Sequence, residues 1–253
     1  MTDPSQPSED TDHFYRRRLP HWQPAGATIF LTWRLYGCLP QQALDRLASE
    51  QDLLENQPVR PGETPRDRAL RHSKRLFALA DDLLASNTRH PQWLRQKEIA
   101  RLVVDALFYH DGNLYVLLAF VIMSNHVHVL FRPLKAGQQA ETSAPQQAAG
   151  TSDIKQDEVS PTRYVPLRRI TQSLKGYTAW EANRLIKRTG SPFWQDESYD
   201  HWVRDEAELG RIVTYIESDP VRAGLVASPE DWRWSSAWER KWGRLKDRPW
   251  LPP

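Results

Sequence analysis

Apolar and polar positions alternate over 27–35, with Ile29, Leu31 and Trp33 on one side of the period and Thr28, Phe30 and Thr32 on the other. Period-two alternation rich in β-branched and aromatic residues predicts a strand, entered from the turn at 24–26. A period near 3.6 takes over at Gln41 in "QQALDRLASEQDLLE" and returns in "TPRDRALRHSKRLFALADDLLAS", where Leu70, Leu76, Leu79 and Leu83 form the expected apolar stripe. A third helix is read in "PQWLRQKEIARLVVDALFYHDG", striped by Ile99, Leu102, Val103, Ala106 and Leu107. The "DG" at 111–112 turns the chain into "NLYVLLAFVIM" and then, after "SN", into "HVHVLFRPL". Those two runs predict a hairpin at the centre of a sheet.

The stretch 136–163 is rich in Gln, Ala, Ser and Thr and has no periodicity, so it reads as an inserted flexible linker. A basic helix ending at Gly190 follows, then an extended segment "SPFWQDESYDHWVRD", a helix broken at Pro220, and a Trp-rich tail. Intermixed strands and helices predict an α+β fold with a central antiparallel sheet and helices packed on it. The expected organisation is a disordered acidic tail, 1–12, and a single domain, 13–253.

Composition adds a chemical bias. The formal net charge is +2, but 1–12 carries −4 and 136–160 carries −3, leaving +9 for the remainder. A basic body with acidic segments suits a polyanion partner, and 11 Trp with 8 Tyr offer surfaces on which unpaired bases stack. No apolar run approaches the roughly 20 residues of a membrane helix, and the first dozen residues are not signal-like, so a soluble, unsecreted protein is expected. With Cys38 as the single cysteine, an intrachain disulfide and a cysteine zinc cage are excluded. Any metal must be held by His, Asp and Glu.

His126 and His128 stand two apart inside the second hairpin strand. Side chains alternate faces along a strand, so these imidazoles share a face with Leu130, while Val127, Val129 and Phe131 take the other. Two imidazoles on one face can share a divalent cation. A lone His-x-His is also compatible with structural histidines. Tyr215 and Asp219 in "TYIESDP" are four apart, on one helical face. That pair admits two readings. It can place a hydroxyl nucleophile beside a metal-binding carboxylate, or Tyr215 can be the apolar edge of a helix with Ile212 and Ile216 and Asp219 a turn residue before proline.

The segments "RRRLPHWQPAGATIFLTWRL", "WLRQKEIARLVVDAL", "YVLLAFVIMSNHVHVLFRPL", "SLKGYTAWEANRL", "FWQDESYDHWVRDEAELGRIVTYIESDPVRAGLV" and "WRWSSA" occur in order from about residue 13 to 240. Together they resemble the REP-associated tyrosine transposases, relatives of the single-tyrosine HUH transposases. The resemblance implies the ferredoxin-like, RRM-like HUH fold, with His126 and His128 as the metal-binding pair and Tyr215 as the nucleophile. Asp219 stands where the family usually carries an amide that completes the metal site, and "SNHVH" stands where "PNHVH" is commoner. The implied substrate is single-stranded DNA folded from repetitive extragenic palindromes (REP) into hairpins, cleaved with Mg²⁺ or Mn²⁺ through a 5′-phosphotyrosine. Arg16, Arg17, Arg18, Arg168, Arg169 and Lys175 are candidate phosphate contacts. Tyr199 is the competing nucleophile. Cytoplasmic, nucleoid-associated placement follows from such a partner, with monomer and dimer both open. The rival expectation is a hairpin-binding protein that has lost cleavage, Asp219 being the visible departure.

Overall fold

The computed structural model describes residues 15–16, 20–21, 26–86, 91–135, 137 and 164–248. The expected tail 1–12, the linker 136–163 apart from Gly137, and Arg17 and Arg18 lie outside them. Among the described residues no helix is long and apolar enough to cross a membrane. Two short segments, β1 (Tyr15–Arg16) and β2 (Pro20–His21), pair antiparallel. The backbone of Arg16 belongs to the first of them.

The main sheet is built from β3 (Ile29–Leu35), β4 (Tyr115–Ile122), β5 (His126–Pro133) and β6 (Trp194–Trp202), all antiparallel in the order β4-β5-β3-β6. The predicted hairpin is present, but β4 is an edge and the centre is β5 with β3. Register places His128 beside Thr32 and His126 beside Arg34, and Thr32 in turn beside Tyr199. Helices α1 (Gln41–Glu55), α2 (Pro65–Ser86), α3 (Lys97–His110), α4 (Leu167–Leu185), α5 (Glu206–Arg222) and α6 (Ser236–Trp242) complete the α+β fold. The third predicted helix starts later than its sequence pattern, because Trp93–Arg95 forms a separate 3-10 turn. α4 stops at Leu185, five residues before Gly190.

The alternation in β3 and β5 is used on both faces. Leu31, Trp33, Val127, Val129 and Phe131 pack with Ile99, Val103 and Leu107 of α3 and Ile170 and Leu174 of α4. Phe30, Leu130, Ala119 and Val121 turn to the opposite face and meet Val213 and Ile216 of α5, with Phe77 of α2 against them. The imidazoles therefore project into a covered face.

α2 begins with a reciprocal cap: Thr64 Oγ1 accepts from the Asp67 backbone N–H at 3.1 Å, Asp67 Oδ2 accepts from the Thr64 N–H at 3.2 Å, and Pro65 opens the helix. Its buried positions are Asp81 and Leu84, whereas Leu70, Leu76, Leu79 and Leu83 of the expected stripe are only half-buried. α2 lies along the sheet and against α5, so its innermost line is set by Phe77, Asp81 and Leu84 and not by the leucine count.

α5 runs through Pro220 to Arg222, a correction to the predicted break. A proline in the last turn forfeits a single helical bond. The amides of Ala223, Gly224 and Leu225 still close on the carbonyls of Asp219, Val221 and Pro220, each at 2.9 Å. At its start, Asp205 Oδ1 accepts from the Glu208 N–H at 2.7 Å, and buried Glu208 binds Lys74 of α2 at 2.8 Å and the Arg204 guanidinium at 3.1 Å. Removing Glu208 takes their shared carboxylate from Lys74 and Arg204, both partly solvated, and loosens α5 from α2. Glu208→Ala is expected to cost about 2 kcal/mol, a fall in Tm of roughly 4–8 °C by calorimetry, while Glu206→Ala at an exposed neighbour stays within about 0.5 kcal/mol.

The "WRWSSA" segment pins α5 to β4. Ser236 Oγ accepts from the Phe120 N–H at 3.1 Å and donates to Glu217 Oε1 at 2.6 Å; Trp232 Nε1 donates to the Ile122 carbonyl at 3.0 Å, and Arg240 also contacts Glu217.

Candidate active site

β5 places His126 and His128 with their Nε2 atoms 3.1 Å apart, both essentially without solvent exposure. The outward nitrogens are already engaged. Asn125 Oδ1 sits 2.7 Å from His126 Nδ1, and Thr32 Oγ1 sits 2.7 Å from His128 Nδ1. Since an amide oxygen only accepts, His126 carries its proton on Nδ1 and turns the Nε2 lone pair inward, the tautomer a metal ligand needs. Asn125 is itself fixed by donating to the Leu84 carbonyl of α2 at 3.0 Å.

Two carboxylates face the nitrogens. Asp81 Oδ1 lies 3.2 Å from His128 Nε2 and 3.9 Å from His126 Nε2; Asp219 Oδ2 lies 3.5 Å and 3.6 Å from His126 and His128. Ligand atoms of Asp81, His126 and His128 fall within 4.8 Å of one another, a grouping able to hold a metal ion. Both Asp81 Oδ1 and Asp219 Oδ2 are buried without a hydrogen-bond partner. Buried carboxylate oxygens without donors are costly, and a cation shared with the imidazoles removes that cost. Two N and two O donors fit a divalent ion.

The remaining oxygens hold the tyrosine. Tyr215 donates its hydroxyl proton to Asp81 Oδ2, and Arg222 Nη2 reaches Asp81 Oδ2 at 3.1 Å and Asp219 Oδ1 at 2.7 Å. The guanidinium carbon also stands 4.2 Å over the Tyr215 ring. One arginine thus offsets part of the charge that the two carboxylates bring. Phe30 and Phe77 flank the phenol at 6.1 and 5.9 Å between ring centres.

The charges follow from burial and neighbours. Burial pushes the Tyr215 phenol up, and the Asp81 carboxylate pushes it further against the opposing Arg222, so it is held as the neutral phenol. Burial alone would raise Asp81, but the close His128 and His126 imidazoles and the Tyr215 hydroxyl hold its carboxyl below the usual range. Burial lowers His126, opposed by its contact with Asp219. His126 therefore stays neutral at neutral pH and takes up a proton only below the ordinary histidine value of about 6.5. Mn²⁺ affinity, followed by isothermal titration calorimetry, is expected to fall on acidification below the ordinary histidine range as that proton competes for Nε2.

No family model matches this sequence, and no curated protein matches it either. Among solved structures it is similar to a REP-associated tyrosine transposase bound to a REP hairpin. That alignment covers 94% of this chain and 87% of the other at 15% identity, with a TM-score of 0.45. At that distance only the site's own geometry bears on function.

Of the residues singled out in the sequence, His126, His128, Tyr215 and Asp219 come together. Tyr199 does not join them: its ring stacks 4.2 Å from Phe77, and burial pushes its phenol well up. Arg168 and Arg169 are exposed at the start of α4, whose buried residues pack on the sheet face away from the imidazoles. Lys175 donates to the Gln195 and Asp196 carbonyls, each at 2.8 Å, and so ties α4 to β6. Asp81, Thr32, Asn125 and Arg222 were missed. The available signal was Asp81 at helical spacing between Phe77 and Leu84, a carboxylate on an apolar line.

Proposed function

We propose that the protein is a metal-dependent single-stranded DNA nicking and strand-transfer enzyme of the REP-associated tyrosine transposase type, acting on REP hairpins. The observation that carries this reading is the convergence of the imidazole pair, two orphaned carboxylate oxygens and the Tyr215 hydroxyl on one buried point. The sequence motifs around these residues support it independently.

Asp81, His126, His128 and Asp219 are the residues that would hold Mg²⁺ or Mn²⁺. When bound, the ion polarises the scissile phosphate and offsets charge that develops there. Tyr215 attacks phosphorus in line, its hydroxyl proton passing to solvent; the P–O3′ bond breaks, the departing oxygen takes up a proton from solvent and leaves as a 3′-OH, and Tyr215 keeps the 5′-phosphate. The phosphodiester's free energy is conserved in the new bond, so the 3′-OH of the same or another strand can reverse the step without ATP. Asp81 Oδ2 receives the hydrogen bond of the reacting hydroxyl, while Arg222 bridges Asp81 and Asp219 beside the phenol. Phe30 and Phe77 exclude water around the ring. The basic positions Arg16, Arg17, Arg18, Arg168 and Arg169 are proposed to follow the phosphate backbone; Lys175 belongs with them in sequence, although its amine braces α4. Such a partner places the protein at the nucleoid.

The test is a denaturing gel of the protein with a labelled single-stranded REP hairpin from the source genome. A protease-sensitive covalent band that needs Mn²⁺ and disappears with chelator is expected. Tight binding on native gels with no band under any metal would select the alternative, a hairpin-binding protein that has lost cleavage.

A further inference from the structure

Arg222 has more donors than its two carboxylates occupy. Its Nη2 carries both contacts, 3.1 Å to Asp81 Oδ2 and 2.7 Å to Asp219 Oδ1. A guanidinium presents its N–H groups as a planar fork, so the protons on Nε and Nη1 remain for an acceptor other than these acids. The Arg222 side chain is 45% exposed, against 8% for Asp81 and 4% for Asp219. It is therefore the member of this group that an incoming ligand meets from solvent.

It also stands beside the nucleophile. Tyr215 donates to the same Asp81 Oδ2 that accepts from Arg222, and the guanidinium carbon lies 4.2 Å over the phenol ring. A phosphorus within bonding reach of that hydroxyl brings its non-bridging oxygens close to the guanidinium. Charge agrees with this placement. Imidazoles that ligate a metal are uncharged, and the Asp81 and Asp219 carboxylates cancel a divalent ion. Without a further cation the loaded site is neutral, while a phosphodiester is an anion whose non-bridging oxygens gather charge as phosphorus becomes five-coordinate. Among the described residues, Arg222 is the one lysine or arginine paired with these carboxylates.

From this placement, we infer that Arg222 is a further catalytic residue, whose free N–H groups grip a non-bridging oxygen of the scissile phosphate and stabilise its charge through the transfer. The Tyr215 oxygen bonds to phosphorus as the P–O3′ bond breaks; Arg222 donates hydrogen bonds throughout and transfers no proton. A planar fork suits phosphate oxygens as a single ammonium does not. The competing role is a brace for Asp81 and Asp219 alone. The inference rests on the nicking reaction proposed above, and its test separates the two failures.

A methylphosphonate replaces one charged non-bridging oxygen with a methyl group, removing the charge that Arg222 would meet and leaving the carboxylate brace untouched. Hairpins carrying one stereopure methylphosphonate, of either hand, at each flanking phosphate in turn are given to wild type, Arg222→Ala and Arg222→Lys with Mn²⁺. On the ordinary hairpin, Arg222→Ala is expected to form adduct at least about 100-fold more slowly than wild type, the scale of one lost transition-state donor, with Arg222→Lys between them. For one isomer at the scissile position, the ratio of the two rates is expected to collapse toward unity. In parallel, the affinities of metal-free Tyr215→Phe, with and without Arg222→Ala, for both kinds of hairpin close a cycle in which charge and arginine are removed singly and together. A coupling of about tenfold is expected. Arg222→Lys keeps both comparisons readable should Arg222→Ala fail to fold. A rate ratio that both isomers leave unchanged at the scissile position overturns the inference and makes Arg222 a brace. Where wild type forms no adduct on a hairpin to be compared, the binding cycle decides, coupling upholding the phosphate contact and its absence overturning it. No adduct on the ordinary hairpin overturns the nicking reaction separately.

Discussion

Tyr215→Phe is expected to abolish the covalent protein–DNA adduct, a loss of more than about 10⁴-fold, while hairpin binding and the fold survive. The hydroxyl removed is, among the described residues, the single phenolic oxygen placed on the Asp81, His126 and His128 cluster. The ring itself stays framed by Phe30, Phe77 and the Arg222 guanidinium, all of which phenylalanine can still contact. Asp81 Oδ2 loses one donor but keeps Arg222 at 3.1 Å, so the stability change should be about 1 kcal/mol. Tyr199→Phe is the matched control. Its phenol lies in the Phe77 stack, away from the imidazole pair, and adduct formation should persist. Adduct retained in Tyr215→Phe and lost in Tyr199→Phe would reverse the assignment of the nucleophile.

The parts of this site that rest on short-range periodicity were legible in the sequence. Period two put His126 and His128 on one face of β5, and the i,i+4 rule put Tyr215 and Asp219 on one face of α5. Asp81 was not legible in the same way, because it reaches the cluster from α2, 134 residues away from Tyr215. Several leucine stripes can be drawn on α2, and tertiary packing, not composition, decides which line turns inward. The one it turns inward contains a carboxylate, which a search for apolar stripes passes over. Pro220 misled for a related reason: proline ends a helix when its missing bond falls in the interior, and here it falls in the last turn. Lys175 was read as a phosphate contact from its basic helix, yet a carbonyl pair on β6 lies within its reach.

Asp81→Ala carries the second large expectation, a loss of Mn²⁺ affinity of at least about 10- to 100-fold, the range seen when even an outer-sphere partner is removed. The argument is one of compensation. Asp81 Oδ1 and Asp219 Oδ2 are both buried and unpartnered, and each lies under 4 Å from both inward nitrogens. Deleting one leaves the imidazoles with a single carboxylate. Asp219→Asn keeps an oxygen at its position and removes only charge, so a smaller loss, about tenfold, is expected from calorimetric titration. Asp81 has a second duty that the titration isolates. Its Oδ2 accepts the Tyr215 hydrogen bond, so Asp81→Asn should retain more metal than Asp81→Ala yet form adduct poorly, because the amide no longer presents a charged acceptor to the phenol. Full Mn²⁺ affinity in Asp81→Ala would remove it from the metal site and leave it as the holder of Tyr215 alone; the orphaned Oδ1 would then have no partner to explain it. A loss confined to Asp81→Ala, with Asp219→Ala unaffected, would move the metal toward α2 and assign Asp219 to Arg222.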